Sequence, residues 1–183
     1  MLRGSRGTIR AMSEIRDSYE YYAAMLRLTG CLCVVAGGGT IASRKVVTLL
    51  KAGARIRVVS KTLDQALTDA WHAGLIEYTE RPWQDGDGTD AWLIIAATDD
   101  REVNRAIALQ AHSRRQWVNV VDNPSLCTLI VPATVALDDV IIAMSTRGLR
   151  PAYAKALRQA LTFDVEQGTD QFVRLLQQSP EDL

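Results

Sequence analysis

Apolar positions along this chain change spacing from segment to segment, and the change predicts an α/β fold. Residues 91–97 are wholly apolar apart from a tryptophan indole, as in a strand that helices cover on both faces. Further strands are predicted at residues 31–36, 55–60, 75–79 and 117–121. Apolar residues at helical spacing predict helices over residues 40–52, 63–73 and from about 99 to 114. Strands that alternate with helices in this way form a doubly wound parallel sheet.

The pattern changes after residue 123. Prolines at 124 and 132 bracket an apolar stretch at 126–131, and a second stretch follows at 140–145, so both are predicted as strands. Pro151 begins a predicted helix to about residue 163, and Gly168 separates it from a final helix that ends near residue 178. The chain is therefore expected to have four parts. They are a flexible extension over 1–17, a Rossmann-type parallel-sheet domain over 18–122, a small β+α segment over 123–150 and a short helical tail over 151–183.

The first predicted strand ends at three consecutive glycines, and a helical pattern begins at Thr40. The spacing Gly37-x-Gly39-x-x-Ala42 is the Gly/Ala form of the dinucleotide-binding fingerprint. The first glycine allows a tight turn, the second lets the backbone approach a pyrophosphate, and Ala42 lets the helix pack closely on the strand. Backbone N–H groups at the helix start then face the phosphates. A plain strand–turn–helix shares the spacing, but both flanking elements favour a nucleotide site.

Ligands of such sheets bind at the carboxyl ends of the strands. The residues just past those ends, which we expect to meet around one crevice, are Gly37, Gly38, Gly39, Ser60, Lys61, Thr62, Thr98, Asp99, Asp100 and Asp122. The second strand lacks the acidic residue that typically holds the ribose of NAD. Ser60 or Thr62 can bond to the ribose hydroxyls, whereas Lys61 either meets a 2′-phosphate or is an ordinary solvated residue. The pattern therefore leaves NAD and NADP both open.

Asp122 is the candidate for proton transfer, because a carboxylate at a strand's carboxyl end is partly desolvated. The alternative is a turn residue ahead of a proline. Asp99 and Glu102 have the spacing of a capping box, and both Asp99 and Asp100 are predicted to be helix caps rather than catalytic residues. A basic junction follows later in the chain, where Arg147, Arg150, Lys155 and Arg158 either anchor an acidic ligand or form a solvated surface.

Composition narrows the classes of function. The chain has 183 residues with 48% hydrophobic and 23% charged, as in an ordinary globular protein, and its formal net charge of zero argues against a general nucleic-acid binder. Its apolar runs are too short to cross a bilayer, and no secretory signal is predicted. Three cysteines without zinc spacing predict a reducing cytoplasm. His72 and His112 have no second ligand type at metal spacing, so no metal site is predicted.

These motifs together resemble the precorrin-2 dehydrogenase and sirohydrochlorin ferrochelatase family, which also forms the first module of siroheme synthases. The similarity extends over about residues 26–161. It rests on the lead-in that ends at Gly30, the triple glycine, Arg44-Lys45, Ala52-Gly53-Ala54, residues 95–100 with Asn104, Asn119-Val120-Val121-Asp122-x-Pro124, Pro132-Ala133 and the Ser145-Thr146…Pro151 junction. Arg147 and Arg150 depart from it, since they replace a glycine and a serine of the family's junction. This departure bears on metal insertion more than on dehydrogenation.

The resemblance implies NAD-dependent oxidation of precorrin-2 to sirohydrochlorin, with Asp122 as the catalytic residue. It also implies an intertwined homodimer held together by residues 123–150. The expected cofactor-binding residues are Gly37, Gly38, Gly39, Thr40, Ile41, Ser60, Lys61, Thr62, Thr98 and Asp99. Precorrin-2 carries eight carboxylates, and its expected contacts are Asn119, Thr146, Arg147, Arg150 and Lys155. Two alternatives stay open: added ferrochelatase activity in the same pocket, and a non-catalytic regulator that binds a nucleotide or a tetrapyrrole.

Overall fold

The computed structural model describes residues 21–121, 123–137, 140–147 and 149–167. The first part of the fold consists of β1 (Leu32–Ala36), α1 (Thr40–Lys51), β2 (Arg55–Ser60), α2 (Gln65–His72), β3 (Glu77–Glu80), β4 (Leu93–Ala96), α3 (Arg101–Ser113) and β5 (Trp117–Val120). A 3-10 turn (Pro124–Leu126), strands β6 (Ala133–Leu137) and β7 (Val140–Met144), and helix α4 (Pro151–Gln167) follow. The predicted extension, Gly168 and the predicted final helix lie outside the described residues.

The five strands of the first part form one parallel sheet in the order β3-β2-β1-β4-β5. The chain runs outward from β1 to β3 and then crosses to the other side of β1 for β4 and β5. Ala36 is in register with both Val59 and Ala96, so the strands end at the same level. The predicted doubly wound Rossmann-type fold is confirmed. Its topological switch point, where such sheets bind ligands, lies between β1 and β4.

Both faces of the sheet are covered, which explains why β1 is buried along its whole length. Val34 and Ala36 face α3, where Ile107 and Ala108 are fully buried. Cys33 and Val35 face the opposite side, where they belong to one cluster with side chains of α1 and α2, including Val46 and Leu67. Each fully buried Val, Leu or Ile contributes about 1.5–3 kcal/mol. The sheet is thus a rigid base for the loops at its carboxyl edge.

The helix cap predicted at Asp100 is confirmed, whereas the cap predicted at Asp99 is wrong. The Asp100 carboxylate accepts hydrogen bonds from the backbone N–H groups of Glu102 (2.9 Å) and Val103 (3.2 Å). The Asp100 N–H donates to the Thr98 hydroxyl oxygen at 3.3 Å, and the same oxygen lies 3.0 Å from the Asp100 carbonyl oxygen. This local turn delays the helix by one residue relative to the capping-box spacing.

The strand predicted at residues 126–131 is also wrong. The prolines that bracket this stretch cannot donate to a strand ladder, and the stretch instead crosses the edge of β5. Thr128 and Leu129 both donate their N–H groups to the Val118 carbonyl, at 3.0 and 3.1 Å, and the Thr128 hydroxyl accepts from the Val118 N–H at 2.8 Å. The strand begins after Pro132 as β6, which pairs antiparallel with β7. The strand predicted at 140–145 is confirmed as β7.

Helix α4 begins at Pro151 as predicted but continues to Gln167, beyond the expected end at residue 163. It packs against the β6–β7 hairpin, with Ala154 and Val165 buried. Among the described helices, none combines the length and apolarity that a bilayer span requires.

Candidate functional site

The loops that follow β1, β2 and β4 contact one another at the carboxyl edge of the sheet. The Gly37 N–H donates to the Val59 carbonyl at 3.0 Å, and the Gly38 carbonyl accepts from the Asp64 N–H at 2.7 Å. A Cβ on Gly38 would overlap the Thr62 carbonyl oxygen, and one on Gly37 would overlap that of Ala97. The structure therefore brings three of the four predicted strand-end groups together. The fourth, Asp122, lies outside the described residues.

The three glycines of this loop differ in what surrounds them. Gly37 has φ +113°, a backbone conformation that favours glycine, and Gly38 is confined between Ser60 and Thr62. A Cβ on Gly39 would meet nothing within 4 Å. Gly37 and Gly38 are thus required by the fold, whereas Gly39 has open space in front of its backbone, as a site for a phosphate requires.

Helix α1 begins at Thr40, after Gly39 in the N-cap position, and its N-terminal N–H groups have no side-chain cap. No side chain caps it, and its first turn contains no acidic residue. By contrast, Asp64 caps α2 and Asp100 caps α3. Unpaired N–H groups and the helix dipole make such an end an anion site. Thr40 and Ile41, both predicted to touch the cofactor, lie in this exposed first turn.

The end of β2 is fixed by its neighbour β3. The Tyr78 hydroxyl donates to the Ser60 carbonyl at 3.2 Å, and the Arg81 N–H donates to the same oxygen at 3.1 Å. Burial raises the pKa of Tyr78, and the nearby Glu80 carboxylate raises it further. Lys61 and Thr62 are exposed beyond the strand end. Glu80, in register with Ser60, was not identified from the sequence, since a β3 residue carries no motif for this position.

The end of β4 is held by Asn104, which is only 6% exposed. Its carbonyl oxygen accepts from the Thr98 N–H at 3.1 Å and from the Thr98 hydroxyl at 2.7 Å, and its amide donates to the Thr98 carbonyl at 2.9 Å. Every polar group of Thr98 is therefore used within the protein. Thr98 orients the loop, and the neighbouring Asp99 is exposed and does not cap α3.

The end of β5 is tied to the segment that crosses it. Asn119 is 8% exposed, and its amide donates to the Leu129 carbonyl at 3.0 Å. The Cys127 sulfur accepts from the Val120 N–H at 3.1 Å. The predicted contact of Asn119 with the substrate stays a prediction. Burial lowers the pKa of Lys45 in α1, a residue that was named from the sequence only as part of a motif, without a role.

The basic junction lies between β7 and α4, apart from the three loops along the chain. Arg147 has φ +58°, which costs a non-glycine residue about 1–2 kcal/mol. The Thr146 hydroxyl accepts from the Arg150 N–H at 3.1 Å, and the Arg150 guanidinium lies 4.9 Å from the centre of the Tyr153 ring. Arg147, Arg150 and Lys155 are exposed, whereas Thr146 is half-buried and helps to start α4. Within the described residues, no cluster of three or more His, Cys, Asp or Glu side chains forms a metal site.

Comparisons with known proteins agree with this geometry. A family described as putative NAD(P)-binding matches residues 24–133. The chain is 46% identical to a siroheme synthase of Methylobacillus flagellatus over 139 residues, which are 76% of this chain and 30% of the relative. It is 45% identical to a siroheme synthase of Nitrosospira multiformis over 134 residues, 70% of this chain and 28% of the relative. The chain thus spans less than a third of these curated relatives.

A solved structure is similar to this chain over most of its own length, unlike the longer siroheme synthases. The structure of SirC, a precorrin-2 dehydrogenase, superposes with a TM-score of 0.70 at 28% sequence identity. The superposition covers 79% of this chain and 71% of that one. The match therefore extends beyond the parallel sheet, since residues 24–133 alone are a smaller part of the chain.

Proposed function

Since this chain belongs to the putative NAD(P)-binding family that includes the N-terminal module of siroheme synthases, we propose that it oxidises precorrin-2 to sirohydrochlorin with NAD. The observation that carries the proposal is the uncapped start of α1 at Gly39, which faces open space beside the switch point of the sheet. Bound NAD supplies the hydride acceptor. The protein then has to hold the two reactants together and remove one proton.

The residues of the crevice fit the parts of a dinucleotide. The N–H groups at Gly39, Thr40 and Ile41 meet the pyrophosphate. Ser60, Lys61 and Thr62 lie where the adenosine ribose is held in such sheets. Asp99, next to the Thr98 turn that Asn104 holds in place, lies at the edge of the nicotinamide side. This arrangement positions the nicotinamide near the ends of β4 and β5, where the substrate has to approach.

The oxidation removes two electrons and two protons from precorrin-2. One hydrogen leaves as hydride, and the second leaves as a proton that needs a base. We assign this base to Asp122, which follows the β5 end in sequence. In this assignment the carboxylate accepts the proton and later releases it to water, while positioning accounts for the rest of the rate.

The exposed cations at the β7–α4 junction are the proposed anchors for substrate carboxylates. Changing Arg147 and Arg150 together to Ala is expected to weaken tetrapyrrole binding by about 10- to 100-fold, since charge-assisted contacts are worth about 1.5–3 kcal/mol each before solvent screening. Calorimetry with sirohydrochlorin and with NAD measures this, and NAD affinity should not change. Wild-type tetrapyrrole affinity should also fall with added salt.

A matched control is Arg105 with Arg114, two exposed cations on and next to α3. Their double Ala variant is expected to bind the tetrapyrrole normally. Equal tetrapyrrole affinity in both double variants, together with a wild-type affinity that does not depend on salt, would show that Arg147 and Arg150 are only solvated surface charges.

The proposal includes a homodimer formed through the segment after the sheet. Apolar side chains are exposed on the hairpin and α4, including Ile141 (57%), Leu157 (39%) and Phe163 (59%). Such a surface favours burial against a second copy. Changing Leu157 and Phe163 to Asp is expected to yield monomers by sedimentation, while Leu109→Asp, on the exposed side of α3, leaves the dimer intact. A wild-type monomer at all concentrations would contradict this part.

Purified protein, precorrin-2 and NAD test the main proposal directly. Formation of sirohydrochlorin with equimolar NADH, followed by absorption, is the expected result. Repeating the assay with Fe²⁺ or Co²⁺ tests the added ferrochelatase activity. Tight binding of both ligands without turnover would favour the regulator instead. The three free cysteines fit a reducing compartment, so a cytoplasmic setting is part of the proposal.

A further inference from the structure

The carboxyl end of β2 lacks an acidic residue, but the neighbouring strand has one at the same level. Glu80 is the last residue of β3, and it is in register with Ser60, the last residue of β2. Adjacent strands of a sheet lie about 4.8 Å apart, so a glutamate side chain on β3 reaches the space beyond the end of β2. Glu80 therefore belongs to the row of strand ends that borders the crevice.

The side chains of Ser60 and Glu80 belong to the same face of the sheet, since they are register partners and side chains alternate between faces along a strand. Tyr78, two residues before Glu80, packs against the cluster that contains its own register partner Val58 and side chains of α1 and α2. On this face the Ser60 hydroxyl oxygen lies 2.8 Å from the place where a Cβ of Gly38 would be. Glu80 is thus on the side of the sheet where the glycine loop lies.

The backbone around Glu80 is held, whereas its carboxylate is free. The Ser60 carbonyl accepts from the Tyr78 hydroxyl at 3.2 Å and from the Arg81 N–H at 3.1 Å, which ties both sides of Glu80 to the end of β2. The adjacent cation Arg81 is paired with Asp87 at 2.6 Å. Glu80 is exposed, and it takes part in none of the ion pairs and side-chain hydrogen bonds found within the described ranges. Its oxygens can therefore accept from a ligand.

We propose that Glu80 accepts hydrogen bonds from the adenosine ribose and thereby selects NAD over NADP. The inference rests on the dinucleotide crevice of the proposed function but not on its tetrapyrrole step. A carboxylate accepts from the ribose 2′-hydroxyl in a charge-assisted bond, as an acidic residue at the end of the second strand does in other such sheets. NADP carries a phosphate there, with a charge of about −1.5 to −2, which a carboxylate repels. Glu80 also balances the exposed Lys61, which on its own would attract that phosphate.

Calorimetry with NAD and with NADP tests the proposal on the full chain without substrate. We expect the wild type to bind NAD about tenfold or more tightly than NADP, and Glu80→Gln to reduce that ratio about tenfold. Glu80→Lys should reverse the preference, whereas Glu80→Asp keeps the charge and should keep the preference for NAD. The fragments 5′-AMP and 2′,5′-ADP should reproduce these shifts, because they carry only the adenosine half. A residue that only supports the edge of the sheet would change both affinities alike and leave their ratio as it is.

Glu77→Gln is the matched control, because Glu77 is an exposed carboxylate at the other end of the same strand. Its oxygens pair with Arg55 at 3.4 Å and with Arg57 at 3.1 Å, away from the crevice. The Glu77 variant should therefore keep the wild-type ratio of NAD to NADP affinity, even if its melting temperature falls.

A wild-type ratio in the Glu80→Gln variant would overturn the inference, as would a wild-type protein that binds NADP as tightly as NAD. Oxidation of precorrin-2 by such a protein would leave the proposed function standing. A ratio that depends on Glu80, in a protein that does not oxidise precorrin-2, would remove the proposed function and leave the inference.

Discussion

Asp122→Asn is expected to lower the turnover of precorrin-2 by about 10²–10⁴-fold, the usual contribution of a positioned acid or base. The amide keeps the size and much of the hydrogen-bonding reach of the carboxylate but cannot accept the proton. NAD affinity should change little, because the proposed contacts of that ligand are the helix start after Gly39 and the turn at Lys61 and Thr62. The effect therefore belongs to the chemical step.

Single-turnover oxidation measures that step directly, with NAD calorimetry and the melting temperature beside it. Asp90→Asn, an exposed carboxylate that precedes β4 at the other end of the sheet, is the matched control and should be silent. If Asp122 is only a turn residue, Asn serves nearly as well, since both favour such turns. Near-normal turnover would then contradict the assignment of Asp122 as the base, and the positioning of the two reactants would have to explain the rate.

The second large effect is a difference between two glycines of the loop after β1: one substitution should lower NAD affinity and the other should lower the stability of the fold. Gly39→Val should abolish most NAD binding, about a hundredfold or more, because its side chain fills the space that a pyrophosphate needs. Its backbone is in an extended conformation that Val adopts, so replacing the glycine at this N-cap position costs only about 1 kcal/mol of stability. Gly37→Ala should instead destabilise the fold by about 2–6 kcal/mol, through a positive φ and overlap with the Ala97 carbonyl.

Calorimetry with NAD and urea unfolding distinguish the two variants. The expected result is a folded Gly39 variant without cofactor affinity and a Gly37 variant with low stability. A Gly39→Val protein that binds NAD like the wild type would contradict the assignment of the pyrophosphate to this helix start. A Gly37→Ala protein of wild-type stability would contradict the packing of the loop against β4.

The sheet was predictable because local signals and tertiary packing agree there. The apolar run at residues 91–97 and the glycines after β1 leave few other arrangements. The structure differs from the predictions at two places, where the local pattern allows more than one arrangement. Asp99 and Asp100 are chemically identical caps, and only the hydrogen bonds of Thr98 decide between them. The stretch at 126–131 is apolar enough for a strand, but its partner is the β5 edge, which no local pattern specifies.

The candidate site was predictable where a motif fixes the backbone and not where side chains meet across the fold. The glycine spacing indicates the phosphate end of the crevice. It says nothing of how the end of β5 is held, where the Val120 N–H donates to the sulfur of Cys127, seven residues later in the chain. The clamp of Asn104 on Thr98 also depends on a contact between a helix and the turn before it, which spacing alone does not specify.

The bonds from Thr128 and Leu129 to Val118 bear on how this protein can be divided by protein engineering. A recombinant fragment cut at the end of β5 would leave Val118 with an unpaired N–H and carbonyl on an open sheet edge. Open edges pair with other chains and lead to aggregation. A fragment that ends after residue 130 retains its own edge protection. A fragment meant to contain only the nucleotide-binding sheet should therefore include the segment that bonds to the edge of β5 as well as the last strand.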